Sequence, residues 1–293
     1  MIITNTTKLP DIIEDWANDD QYRRGTADFT VTELLKPPRV LALERANKDN
    51  IQRDITDLAW RLSGQAKHVI FQRVAELKPE RYIAEKRITM AVAGVTVSGQ
   101  LDLYDILSKT LYDYKETKVW KEILGDTDDW TAQSNMNAFL IRMCRNLEVH
   151  HLANIVLFKD WTIRASQQNK DYPKFPIKAL PLKLWDQAKT LQYMQDRIDL
   201  HLSTSTGNLP LCTPKERWVR AGKFAVMKKG RKTALKLCDT PAEAGQWILE
   251  HAKNGEMLSV EKREGEDTRC LYYCDVAAFC DHGRQVLADA QGL

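Results

Sequence analysis

The chain has 293 residues, 43% hydrophobic and 28% charged, enough apolar material for a sizeable core beneath an ordinary charged surface. No run of 18 apolar residues occurs, which excludes a helical membrane span, and Met1 to Asn5 lacks the basic and apolar regions of a secretory leader, so a cytoplasmic protein is expected. The net charge of +3 is unevenly spread: residues 213–237 hold nine Lys or Arg against Glu216 alone, a +8 block on a body of −5. Such a block suits a phosphate backbone, and it also suits a solvated surface hairpin.

In chain order, residues 1–28 are polar and acidic and read as a loosely packed lead-in. Thr30 to Leu35 reads as a short helix with Thr30 or Thr32 as N-cap, stopped by Pro37-Pro38, and a second helical piece follows from Arg39 to Ala46. From Asn50 to Leu77 apolar residues recur at three- and four-residue steps, predicting a long amphipathic helix with a kink point at Gly64. The period then changes to two. Ile83 to Val92, Val95 to Tyr104 and Thr110 to Lys118 form a predicted three-stranded meander. A helix over Trp130 to Arg145, a strand from Ala153 to Lys159 and a helix over about 183–203 follow, with a boundary at Gly207 to Pro210. Beyond it come a basic hairpin, Lys223 to Leu237, and a helix capped by Thr240 with Pro241 at its first position. The order predicts an α/β fold with a mixed central sheet flanked by helices, divided as 1–210 and 211–293.

The chemistry concentrates on the meander. Side chains alternate along a strand, so Asp113 and Lys115 share a face, and hairpin pairing brings Asp102 towards Asp113. Two carboxylates that close repel unless a hard cation separates them, and Mg²⁺ or Mn²⁺ accepts such oxygens. A bound cation acidifies water and neutralises phosphate charge, while Lys115 can orient the water or stabilise developing negative charge.

Gly99-Gln100-Leu101-Asp102 followed by Asp113-Tyr114-Lys115 resembles the G-x-x-D…(D/E)-x-K signature of PD-(D/E)xK nucleases, and most resembles their RecB-like branch, which includes CRISPR-associated and phage exonucleases. The resemblance implies a restriction-endonuclease-like core and three further assignments. His68, in Gly64-Gln65-Ala66-Lys67-His68, stands where the branch carries a metal-ligating histidine. Gln133 stands at the head of the branch's Q-x-x-x-Y motif, with Asn137 in place of the tyrosine. Arg39, in a stretch similar to the opening of phage-encoded members, is a candidate DNA contact. Glu85 and Glu116 are near enough to contribute, or serve as strand ion pairs.

Cys270, Cys274 and Cys280 fall within eleven residues, with Cys212 upstream, and without a secretion signal this grouping suggests metal rather than disulfides. Cys144 and Cys238 read as ordinary buried thiols. Some RecB-like nucleases hold a four-iron iron–sulfur cluster through four cysteines. The resemblance therefore implies such a cluster on Cys212, Cys270, Cys274 and Cys280, with zinc as the alternative. The family's remote cysteine lies near the N-terminus; here Cys212 takes its place. Lys228, Lys229, Arg231 and Lys232 at the hairpin tip are candidate backbone contacts, with Trp218 and Phe224 as core or base-stacking residues.

The implied function is a Mg²⁺- or Mn²⁺-dependent DNA nuclease, an exonuclease rather than an endonuclease, acting on single- or double-stranded DNA in phage or bacterial recombination, replication or repair, with a recombinase or helicase as partner. A non-catalytic, cluster-stabilised nucleic-acid-binding protein using residues 213–237 is the alternative. A metal hydrolase of small phosphorylated substrates is a third.

Overall fold

The computed structural model describes residues 1–19, 25–204, 209–253 and 257–291. They divide into two units: Met1–Leu41 with Gln52–Gly207, and Ala42–Ile51 with Asn208–Leu293.

The N-terminal stretch is folded, not loose. Strand β1 (Ile2–Thr4) and helix α1 (Asp11–Asn18) precede β2 (Phe29–Thr30), α2 (Val31–Leu35), α3 (Pro38–Ala46) and β3 (Gln52–Asp54), which pairs in parallel with β1. Its few apolar residues suffice because they converge: Ala17, Ile55 and Leu58 are buried beneath Ile3, Leu9, Ile13 and Trp16. Thr30 is the cap of α2, accepting the Glu33 N–H while Glu33 Oε2 accepts the Thr30 N–H at 2.8 Å.

Helix α4 (Ala59–Glu76) starts nine residues later than the apolar period suggests and runs unbroken through Gly64. Asp54 explains the late start. With Asp57 it closes a capping box around a 3₁₀ turn, Ile55–Leu58, which ends the preceding strand. The meander follows as β4 (Tyr82–Val92), β5 (Val95–Asp105) and β6 (Thr110–Thr117). Its first turn takes Ala93 and Gly94 through φ of +49° and +79°, the left-handed pair that matches strand twist.

After α5 (Trp120–Ile123) and α6 (Asp128–Arg145) come β7 (His151–Phe158), α7 (Ile163–Gln168), β8 (Ile177–Leu182) and α8 (Gln187–Leu202). Strand β8 was not among the predicted strands, and it contains Pro181. The strand tolerates it because β8 pairs with β7 alone and lies at the end of the sheet. The sheet is mixed. β4 is antiparallel to β5, whose other edge is shared by β2 (parallel, at Val97 and Ser98) and β6 (antiparallel, at Leu103 to Asp105); β7 is parallel to β6 and antiparallel to β8. Helices α2, α6 and α8 bury Leu34, Met136, Leu140 and Ile198 against Val97, Leu101, Leu111 and Leu152 of the sheet. Burial at this depth contributes roughly 1.5–3 kcal/mol per large side chain.

In the second unit, α9 (Pro214–Arg217) and β9 (Val219–Arg220) lead to the predicted hairpin, β10 (Lys223–Lys228) and β11 (Lys236–Cys238). Helix α10 (Pro241–His251) and β12 (Leu258–Arg263) follow, and β12 adds a third strand to the hairpin along β10. Val226, Cys238 and Ala244 form a small core with Phe224, Trp247 and Ile248. The chain closes with β13 (Glu266–Asp267), which pairs with β9, then α11 (Thr268–Tyr272) and α12 (Asp281–Gln291). No helix among the described residues is long and apolar enough to cross a membrane.

Candidate functional site

The site lies where β5 and β6 part. Their pairing ends at Leu103 opposite Tyr112, so the next residues, Asp102 and Asp113, face a gap instead of completing the ladder. Asp102 Oδ2 accepts the Tyr114 N–H at 2.7 Å, a backbone donor that pairing would otherwise use. On the other edge of β5, Glu85 falls opposite Asp102, between the pairs Ala84–Leu103 and Lys86–Leu101. There the strand conformation breaks: Glu85 has φ +50°. The break shows in the packing too, since Ile88, Met90 and Val92 contact the core on one alternation and Ile83 on the other. A left-handed non-glycine residue within a strand costs on the order of 1–3 kcal/mol, and such strain collects at functional sites. Glu85, Asp102 and Asp113 thus form a row across three strands. Asp102 and Asp113 are only 9% and 6% exposed.

Two helices reach this row. From α4, His68 Nδ1 lies 2.8 Å from Glu85 Oε1 and 3.7 Å from Asp102 Oδ1. From α6, Gln133 donates to Asp113 Oδ1 at 3.2 Å and accepts from Lys115 Nζ at 2.9 Å, bridging the two residues. Lys115 Nζ is also 2.6 Å from Asp113 Oδ2, an ion pair by distance whose angles do not make it a hydrogen bond; that buried oxygen keeps its lone pairs undirected. All five predicted residues of the carboxylate site therefore come together. Glu85 joins them, held also by Gln100 Nε2 at 2.7 Å, which in turn accepts from Arg87 at 2.7 Å. Glu116 does not: it pairs with Lys67 and accepts from Ser63 at 2.8 Å.

Burial, then the charge of Asp113, pushes the Asp102 carboxyl up to about 8. His68 is raised by its hydrogen bond to Glu85, against burial. A carboxyl raised on folding binds its proton more tightly in the folded state, so the metal-free protein loses stability as pH climbs from about 4 to 8. Asp102→Asn keeps an acceptor for the Tyr114 N–H and removes that charge. It is expected to raise the melting temperature at pH 8 and to change it little at pH 5, as calorimetry would show.

Gly99 sets the distance between α6 and the row. A Cβ there would lie 2.2 Å from Asn137 Oδ1 and 2.9 Å from Leu140 Cδ1. Gly99→Ala is therefore expected to cost about 1–3 kcal/mol in a denaturant titration and to push Gln133 away from Asp113. A cavity of about 830 Å³ opens beside the row. His68, Glu85, Gln100, Asp102, Gln133 and Asn137 line its polar part, and Trp16, Leu62, Val69 and Ile70 its apolar part.

No family model matches this chain, and no curated protein does. Among solved structures, one described only as "Crystal structure of SSO0001" is similar at 14% identity and a TM-score of 0.44, over 65% of this chain and 82% of that one. So slight a likeness bears on neither fold nor function.

In the second unit the four predicted cysteines form no disulfide among the described residues, with Cys280 buried and Cys212, Cys270 and Cys274 partly so. Burial pushes Cys212 and Cys270 up to about 11, and both are raised further by Cys274 and Cys280. Among the described residues, donor sets of three or more within 4.8 Å are His68–Glu85–Asp102 and Asp267–Cys270–His282; the four thiols do not form one. Asp267 and His282, absent from the sequence reading, make a 2.6 Å contact, and Arg217 pairs with Asp267 while donating to the Cys212 carbonyl at 3.0 Å. No spacing marked them.

Cys144 is exposed at the end of α6 instead of buried, whereas Cys238 is buried as read. Lys228 ends β10, and Lys229, Arg231 and Lys232 are exposed beyond it. Phe224 packs on the small core, while Trp218 is 48% exposed beside Tyr273. Arg39, by contrast, is only 9% exposed in α3, which leaves little of it for a phosphate.

Proposed function

We propose that the first unit is a divalent-metal-dependent deoxyribonuclease of the PD-(D/E)xK kind, with Glu85 added to the residues that the RecB-like resemblance supplies. The observation that carries the reading is the buried row itself. Asp102 and Asp113 face each other across a gap, Asp113 Oδ2 lacks a directed hydrogen bond, and Asp102 is destabilised as an anion. Buried charges are paired or coordinate metals. His68 Nδ1 and carboxylate oxygens of Glu85 and Asp102 lie within 4.8 Å of one another, so the donors suit Mg²⁺ or Mn²⁺, with the imidazole favouring the softer Mn²⁺. When bound, such an ion supplies Lewis acidity to water and to the scissile phosphate.

The remaining work falls to the chain. Asp113 holds Lys115 by charge and Gln133 holds it by a hydrogen bond, so the ammonium is fixed beside the row and available to negative charge developing on the phosphate. Gln100 and His68 fix the two oxygens of Glu85, preventing it from swinging away. Exonuclease action, DNA as polymer and a role in phage or bacterial recombination, replication or repair follow from the resemblance, as does a helicase or recombinase partner. The exposed Lys229, Arg231 and Lys232 support a polyanionic substrate. For the second unit we propose a four-iron cluster on Cys212, Cys270, Cys274 and Cys280, which follows from the resemblance, with zinc as the alternative.

End-labelled single- and double-stranded DNA incubated with the protein in Mn²⁺ or Mg²⁺, with and without chelator, tests the reading. Metal-dependent loss of label that Asp113→Ala abolishes is expected. Equal digestion by both proteins, or none by either, would overturn it.

A further inference from the structure

We propose that Asn154 is a positioning residue for Asp113, supplying the hydrogen bond that the second oxygen of this carboxylate lacks. The inference rests on the reading of Asp113 as a working carboxylate. On β7, Asn154 sits directly beside Asp113 in the parallel register, extending the row Glu85–Asp102–Asp113 by one strand. It is fully buried, at 0% exposure, between strand neighbours Leu152 and Val156, which pack in apolar clusters. Among the described residues, neither its amide nitrogen nor its amide oxygen has a hydrogen-bond partner.

A buried amide left unsatisfied is costly, and a strand centre between apolar residues would more cheaply hold Val or Leu. What distinguishes this one is its neighbour. Asp113 Oδ2 is a buried acceptor without a directed bond, and Asn154 Nδ2 is a buried donor without one, on residues paired across adjacent strands. A small rotation or one enclosed water satisfies both groups. Gln133 already holds Oδ1, so Asn154 at Oδ2 would fix the plane of the carboxylate from both sides and keep Lys115 from drawing it out of the row.

The test has two arms in the full-length protein. In ¹⁵N-labelled protein the Asn154 side-chain amide signal is identified by its loss in Asn154→Leu. Asp113→Ala is expected to move it strongly and Asp113→Asn, which retains an acceptor, to move it less. For activity, Asn154→Leu removes the donor and keeps the branched shape, and the gain from removing an unsatisfied buried amide offsets the larger methyls, so the melting temperature should change little. Cleavage and affinity for Mn²⁺ should fall about 10- to 100-fold, with KM for DNA unchanged. An amide signal indifferent to both Asp113 variants, or an Asn154→Leu protein with the parent's activity, overturns the proposal. Should the parent cleave no DNA, the nuclease reading fails, and the amide signal still decides the contact.

Discussion

Cys274→Ala is expected to leave a colourless protein whose second unit unfolds early. The small core of that unit, Val226, Cys238 and Ala244 with a rim of partly buried neighbours, buries little apolar surface. A cluster that ties Cys212 to the α11–α12 segment closes a long loop and contributes folding free energy directly, because unfolded chain cannot hold it. The parent, purified without air, should absorb near about 400 nm through its iron–sulfur charge-transfer bands, and the variant should not. The first melting transition should fall by about 10 °C or more. Arg217→Ala offers a milder version, since it cuts Asp267 loose from the Cys212 carbonyl without removing a thiol. A parent protein carrying stoichiometric zinc and no colour would replace the iron–sulfur assignment. A Cys274→Ala variant with unchanged melting would end the structural role altogether.

Lys115→Ala is expected to lower the cleavage rate by about 10²- to 10³-fold, the range for losing one preorganised charge partner of a developing anion. Its fold should survive, because the ammonium sits at the rim of the row and the β6 pairs on either side are backbone bonds with β7. KM for DNA should change little, since Lys115 acts on charge that develops as the bond breaks. Lys115→Arg should recover only part of the rate. A longer planar guanidinium cannot keep both the 2.6 Å approach to Asp113 and the 2.9 Å bond to Gln133. A Lys115→Ala enzyme as fast as the parent would remove the lysine from the chemistry.

The parts of the site that local pattern encodes were legible in the chain. Asp102, Asp113 and Lys115 follow from strand alternation and a hairpin, whereas His68 and Gln133 came only from the family resemblance. Gly99 carried its own signal, though its reason, the approach of Asn137, needs α6 in place. Glu85 was visible only as a neighbour. Its role depends on a left-handed backbone inside a strand, and β-pattern has no mark for a residue that breaks it. Asn154 was invisible for another reason: an amide between Leu152 and Val156 acquires meaning only when β7 lies beside β6. The same holds for α1 and the 3₁₀ turn Ile55–Leu58, whose core forms between segments about 40 residues apart, and for β8, a short strand at the end of the sheet that no pattern marked.

On the proposed reading His68, Glu85 and Asp102, with Asp113 beside them, hold a catalytic divalent cation. Anomalous diffraction from crystals soaked in Mn²⁺ tests it most directly. A peak within about 2.2 Å of oxygens from Glu85 and Asp102, absent from Asp102→Ala crystals grown in the same way, is predicted. A map with no peak at the row, or with manganese only beside Asp267, Cys270 and His282, would contradict it.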